Sequence, residues 1–123
     1  MDNSFVDFFT SEEYQSVTVC FHSEKDIPFK FGEKLNEINE YAYMNGYNWA
    51  AVLEAYLHQE APELLVDLEM MPEAGSCFMS YNQLHESNID KAKRLVDLIN
   101  DLVVNERELV DFVKNNGEEI AWD

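Results

Sequence analysis

Hydrophobic positions recur with two different periods along this chain, and the changes of period mark its elements. Phe5 to Phe9 is a short apolar start compatible with extended chain. Val17 to His22 alternates, with Val17, Val19 and Phe21 on one side and Thr18, Cys20 and His22 on the other. A period of two over that length predicts a half-buried strand. From Phe31 the spacing turns helical through Phe31, Leu35, Ile38 and Ala42, with Tyr41 beside them. Asn45-Gly46 predicts the stop, through a left-handed glycine. Asn48 then predicts an N-cap for a second helix whose stripe is Trp49, Val52, Leu53, Tyr56 and Leu57. Pro62 keeps that helix from running far past Glu60.

Two strand candidates follow, Leu64 to Met71 and Ser76 to Asn82, around Pro72-Glu73-Ala74-Gly75. A four-residue hairpin loop predicts Met71 opposite Ser76, then Glu69 opposite Phe78, Asp67 opposite Ser80 and Leu65 opposite Asn82. One face is then apolar, with Val66, Leu68, Met70, Cys77, Met79 and Tyr81. The other mixes Leu65, Asp67, Glu69, Met71, Phe78 and Ser80, and a one-residue slip would mingle the two sets. A third helix is predicted from Ser87 or Asn88, with Asp90 completing a capping box on Ser87. Its stripe is Ile89, Ala92, Val96, Ile99 and Val103, flanked by Leu95 and Leu102. A fourth is predicted after Asn105, with Glu108 in the box position, burying Leu109, Phe112 and Val113 and stopping at Gly117. Glu119 to Asp123 alternates again, as a short edge strand or as a tail folded onto the core.

The order β-αα-ββ-αα-(β) predicts an α+β fold, a small antiparallel sheet with two helix pairs packed on one face. The 123 residues, with four glycines and three prolines and no internal repeat, predict one domain over 1–123. Aromatics at 13% argue against a disordered acidic tail, so the charge rides on a folded scaffold.

That charge is one-sided. No lysine or arginine occurs between Lys34 and Lys91, while Glu37, Glu40, Glu54, Glu60, Glu63, Asp67, Glu69, Glu73, Glu86 and Asp90 all fall there. The whole chain carries a formal −17. Such a field opposes compaction by self-repulsion and attracts cations over long range, so a basic partner is expected. Nucleic acid and anionic membranes are repelled. The amino terminus lacks the basic region and apolar run of a secretory signal, and no stretch approaches the roughly 20 apolar residues of a membrane helix, so a soluble, cytoplasmic protein with reduced Cys20 and Cys77 is expected.

Candidate chemistry is sparse. His22, His58 and His85 lie far apart and the two cysteines are isolated, so no metal pattern emerges. Asp67 and Glu69 project from one strand face, but a carboxylate hydrolase also needs a cleft and a raised pKa, which no second motif supplies. Cys20 beside His22 lacks the positive surroundings that make a thiolate. Glu54 and His58 read as a surface pair one helical turn apart. With no glycine-rich phosphate loop either, neither cofactor nor catalysis is expected. What remains is display of charge. Asp67 and Glu69 beside Phe78 and Met71 resemble a protein-binding patch, with an apolar anchor among carboxylates; alternatively the chain's own ends cover Phe78. The expected partner-binding residues are Asp67, Glu69 and Phe78, with Glu60, Glu63 and Glu73 around them.

Three segments carry a family likeness: Asn45-Gly-Tyr-Asn-Trp-Ala-Ala-Val-Leu-Glu-Ala-Tyr-Leu57, Pro72-Glu-Ala-Gly-Ser-Cys-Phe78, and the run from Leu95 through Asn-Gly-Glu-Glu-Ile-Ala-Trp-Asp123. Together they resemble the Immunity protein 51 family of bacterial polymorphic-toxin and contact-dependent inhibition systems, over about the last 80 residues. The motifs are structural, a helix stripe, a hairpin loop and a helix pair with a terminal tryptophan. The resemblance implies a non-enzymatic inhibitor that binds a cognate toxin domain one to one. Many such toxins are nucleases, whose basic grooves an acidic inhibitor can fill. Two rivals share the field or the carboxylates: a nucleic-acid mimic that blocks a host DNA-binding protein, and a small carboxylate-dependent hydrolase.

Overall fold

The alternating segments pair into one antiparallel sheet. The computed structural model describes residues 5–122. Strands β1 (Val6–Ser11), β2 (Ser16–Phe21), β3 (Leu68–Pro72) and β4 (Cys77–Tyr81) stand in the order β1-β2-β4-β3. Helices α1 (Asp26–Ile38) and α2 (Gly46–Glu60) separate the two hairpins, and α3 (Glu86–Val104) and α4 (Glu106–Asn116) follow them. This is the expected α+β order. The amino-terminal segment, a short extended start by its pattern, supplies the edge strand β1, one of the four.

Helices α2 and α3 lie against one sheet face, and α1 and α4 pack onto α3 and each other. The strands contribute Val6, Phe8, Val17, Val19, Phe21, Leu68, Met70, Cys77 and Met79 to the core and its margin, and the ladder registers put these on a single face. Helix α3 packs over β1 and β2, and α2 over β3 and β4. The predicted α2 stripe, Trp49, Val52, Leu53, Tyr56 and Leu57, is buried throughout. Trp49 meets Phe21 edge-on at 5.1 Å between ring centres, and Phe21 meets Phe5 at 6.1 Å. Tyr56 of α2 meets Phe112 of α4 at 5.4 Å, and its hydroxyl donates to Glu108 Oε1 at 2.8 Å. The chain end folds back as a tail, with Ile120 buried and the Trp122 indole N–H donating to the Gly117 carbonyl at 2.9 Å.

The second hairpin keeps its predicted faces in a different register. Met71 faces Phe78 and Glu69 faces Ser80, two residues from the expected pairs. An even shift leaves every side chain on its face. The cause lies in the loop. The Glu73 N–H donates to the Ser76 carbonyl at 2.7 Å, so 73 and 76 form a hydrogen-bonded pair. Alternation then makes Pro72–Cys77 a non-bonded pair, where proline's missing N–H does no harm. Strand β3 is also shorter than expected. Pro62–Leu64 forms a 3-10 turn, Val66 is exposed rather than on the apolar face, and Asp67 takes a left-handed φ of 62°.

Local boundaries differ in ways that have physical causes. Helix α1 starts at Asp26, not Phe31, with Pro28 tolerated in the first turn. It ends at Ile38, because the Asn39 side chain accepts the Tyr41 N–H at 2.9 Å and closes a competing turn. Asn45, not Asn48, caps α2 by accepting the Asn48 N–H at 2.9 Å. Gly46 begins that helix without a left-handed φ. It is glycine because the Glu73 carbonyl stands where a Cβ would be. The Ser87 box does not form, since α3 starts one residue before it with His85 as an N-cap that makes no side-chain bond. The Asn105 cap does form, with Oδ1 accepting the Glu108 N–H at 3.2 Å.

Candidate functional site

With every helix on one side, the other face of the sheet is left uncovered. Register and alternation arrange it in two cross-strand rows. One runs Asp7, Cys20, Phe78, Met71, and the next runs Phe9, Thr18, Ser80, Glu69. None of these residues belongs to the core cluster or its margin. The middle is built of small groups. Thr18 and Ser80 are buried between their neighbours, and their hydroxyls hydrogen-bond at 3.1 Å. The expected half-buried character of β2 is therefore corrected, since Thr18 and Cys20 are shaded from solvent although no helix covers them. The edges carry the exposed groups. Phe9 is 50% exposed and Met71 37%, Phe78 is half-buried between them, and Asp7 and Glu69 stand on opposite edge strands. Those strands are three spacings apart, about 14 Å.

The charged side chains on this face, Asp7 and Glu69, have one sign. All eight basic residues lie on α1, α3 and α4 or, for Lys25, at the α1 cap, and no strand holds one. Lys34 pairs with Glu106 at 2.6 Å, Arg94 with Glu63 at 2.8 Å and Arg107 with Asp111 at 4.0 Å, all on the helical side. Carboxylates on the open face meet no such partner among the described residues.

The sequence-predicted residues separate in space. Glu69 and Phe78 share the open face in adjacent rows. Asp67 sits at the corner before β3, where it and Glu69 line a common hollow with Asn82, Asn88 and Lys91. Glu73 is exposed at the hairpin tip beyond the far end of β3. Glu63 is tied to Arg94. Its own backbone N–H, above all, holds its carboxyl below the usual range; desolvation opposes this, and the hydrogen bond and charge of Arg94 add to the lowering. Glu60 ends α2 and lines a hollow with Tyr56, Arg107 and Glu108 on the helical side. Asp7 and Phe9 join the open face without having been predicted. The only sequence signal for them was the alternation of Val6 and Phe8 against Asp7 and Phe9, which the Phe8-Phe9 doublet obscures.

The two thiols of the sheet are held in their neutral form by their surroundings. Burial, then the charge of Asp7, pushes the Cys20 thiol up to about 11. Burial, then Glu54, pushes Cys77 up to about 12 on the core side. Both are free thiols and stay protonated at neutral pH. Among the described residues no cluster of three His, Cys, Asp or Glu side chains comes together to hold a metal. No described helix is long and apolar enough to cross a membrane.

The family model described as Immunity protein 51 matches residues 8–118, nearly the whole chain. No curated protein and no solved structure matches it. The chain belongs to the Immunity protein 51 family, which gives it a toxin-neutralising role.

Proposed function

We propose that this immunity protein captures a basic, nuclease-type toxin domain one to one through the open sheet face and occludes its active site or substrate groove. The observation that carries the reading is the sorting of charge and cover. Every lysine and arginine lies with the helices, while the uncovered face carries Asp7 and Phe9 on one edge strand, Glu69 and Met71 on the other, and Phe78 on a strand between them. Apolar anchors flanked by carboxylates suit a surface of lysines and arginines on an apolar floor. The −17 field speeds encounter by a factor of about 10 to 1000 at low salt, and a few desolvated contacts then set the residence time.

Within this reading the residues divide their work. Glu69 and Phe78 make direct contacts, joined by Asp7, Phe9 and Met71. Asp67 and Glu73 flank them at the two ends of β3. Glu60 and Glu63 contribute to the long-range field from the helical side, Glu63 less because Arg94 already neutralises it. The protein works by binding, without turnover, inside the cell that makes the toxin.

The test is capture of the toxin domain encoded beside this chain, against a panel of unrelated basic nucleases. The proposal expects tight binding to one of them and protection of its substrate. Equal binding across the panel would favour the nucleic-acid mimic instead. Hydrolytic turnover lost in Glu69→Gln would favour the hydrolase.

A further inference from the structure

A second surface carries the same chemistry in a more selective form. The open face spans four strands of about five residues, on the order of 300 Å² in projection, against roughly 800 Å² per partner in a stable complex. Further contact has to come from ground continuous with it. The Gly46 N–H donates to the Ala74 carbonyl at 2.8 Å, so the start of α2 and the segment before it sit directly against the tip of the β3–β4 hairpin. The segment before α2, with α1, encloses a hollow of about 390 Å³.

Its composition is specific. Phe29, Glu33 and Glu37 recur every four residues on one stripe of α1, and Tyr43 faces them across a floor of Gly32 and Met44. Phe29 is 57% exposed and Tyr43 68%, an unusual amount of aromatic surface given to water. Residues 41–44 alternate outward and inward, with Tyr41 and Tyr43 exposed and Ala42 and Met44 buried. Glu33 and Glu37 repel each other one turn apart. Neither is in an ion pair among the described residues, and the hollow is lined by no cation. Lys34, next in the chain, is directed to Glu106 and lies over Phe31.

We infer that this hollow receives an arginine side chain of the basic partner, with the guanidinium between the Phe29 and Tyr43 rings and the Glu33 and Glu37 carboxylates. Two flat apolar walls and two neighbouring carboxylates favour a planar, delocalised cation with a fork of donors over a compact, strongly hydrated ammonium. The inference rests on the toxin-binding reading for its occupant and extends that interface around the hairpin tip.

The test is an amide-resolved NMR titration of the whole chain with blocked pentaarginine and pentalysine peptides at low salt. Shifts centred on Gly32, Tyr43 and Met44 are expected, with pentaarginine binding about fivefold tighter than pentalysine. Phe29→Ala/Tyr43→Ala, which alters only exposed rings, should erase the preference and leave weak binding of both peptides. Equal affinities, or shifts spread over the whole acidic surface, would overturn the assignment. Because the probe is a peptide, the result is separate from toxin capture. A localised arginine preference in a chain that binds no toxin would sink the toxin reading alone. Toxin capture without any arginine preference would sink this one alone.

Discussion

Gly46 and Glu73 approach so closely that the first residue of α2 has no room for a side chain beside the Glu73 carbonyl. This contact and the Gly46–Ala74 hydrogen bond lock helix α2 to the β3–β4 hairpin, and so fix the edge strand that carries Glu69 and Met71. Gly46→Ala should therefore destabilise the fold by about 1–3 kcal/mol, as a methyl forced against backbone does. A urea unfolding curve measures the loss. Hydrogen exchange should show it centred on Gly46 and the loop Glu73–Ser76.

The Thr18–Ser80 hydroxyl pair gives a second expectation. Thr18→Val leaves the Ser80 hydroxyl buried without its partner and should cost about 1–3 kcal/mol. Thr18→Val with Ser80→Ala removes both groups and should cost less than the single change. A double-mutant cycle in urea reads the coupling, and simple additivity would show that the pair contributes nothing.

How much of this was legible in sequence depends on the range of the interaction. The α2 stripe, the Asn105 cap and the face assignments from Leu68 to Met71 and from Cys77 to Tyr81 are local patterns and hold, whereas Leu65 and Val66, assigned to the same hairpin, exchange sides because β3 starts only at Leu68. The hairpin register, the role of Gly46 and the uncovered face depend on contacts between segments far apart in the chain. Val6 to Ser11 is the clearest case. Its adjacent Phe8 and Phe9 hide a period of two, although one points into the core and the other to water. The candidate site suffered in the same way. Asp67 and Glu69 are near neighbours in sequence and border one hollow, but Glu60 and Glu63, only a few residues earlier, fall on the helical side. Charge counted along a chain says nothing about which layer it will occupy.

The thiols set an alkaline limit. Unfolded thiols ionise near 9, whereas burial raises Cys20 to about 11 and Cys77 to about 12. A proton held more tightly in the folded state stabilises it fully below the unfolded value, and that contribution fades as pH rises through the folded value. Stability should thus be level near pH 8 and fall between about pH 9 and 12. Urea midpoints across that range test this. Thiol labelling at pH 8 should be slow in the native chain and fast in denaturant.

Salt acts in a direction set by the net charge. Exposed ion pairs such as Lys34–Glu106 contribute little, whereas a −17 surface repels itself. Raising sodium chloride from about 20 to 200 mM shortens the screening length severalfold and should raise the melting temperature. A fall would mean that the ion pairs outweigh the repulsion.

The most direct test compares two charge reversals of equal size in binding to the cognate toxin domain. Asp7→Lys/Glu69→Lys changes the open face, and Asp97→Lys/Asp101→Lys changes exposed positions on α3. Both variants shift the net charge equally, so the overall field is matched and only location differs. The open-face reversal should weaken binding by at least about 100-fold, roughly 2.7 kcal/mol, and the α3 reversal by less than about tenfold. Equal losses from the two variants, or a larger loss from α3, would contradict the assignment of the open sheet face as the toxin-binding surface.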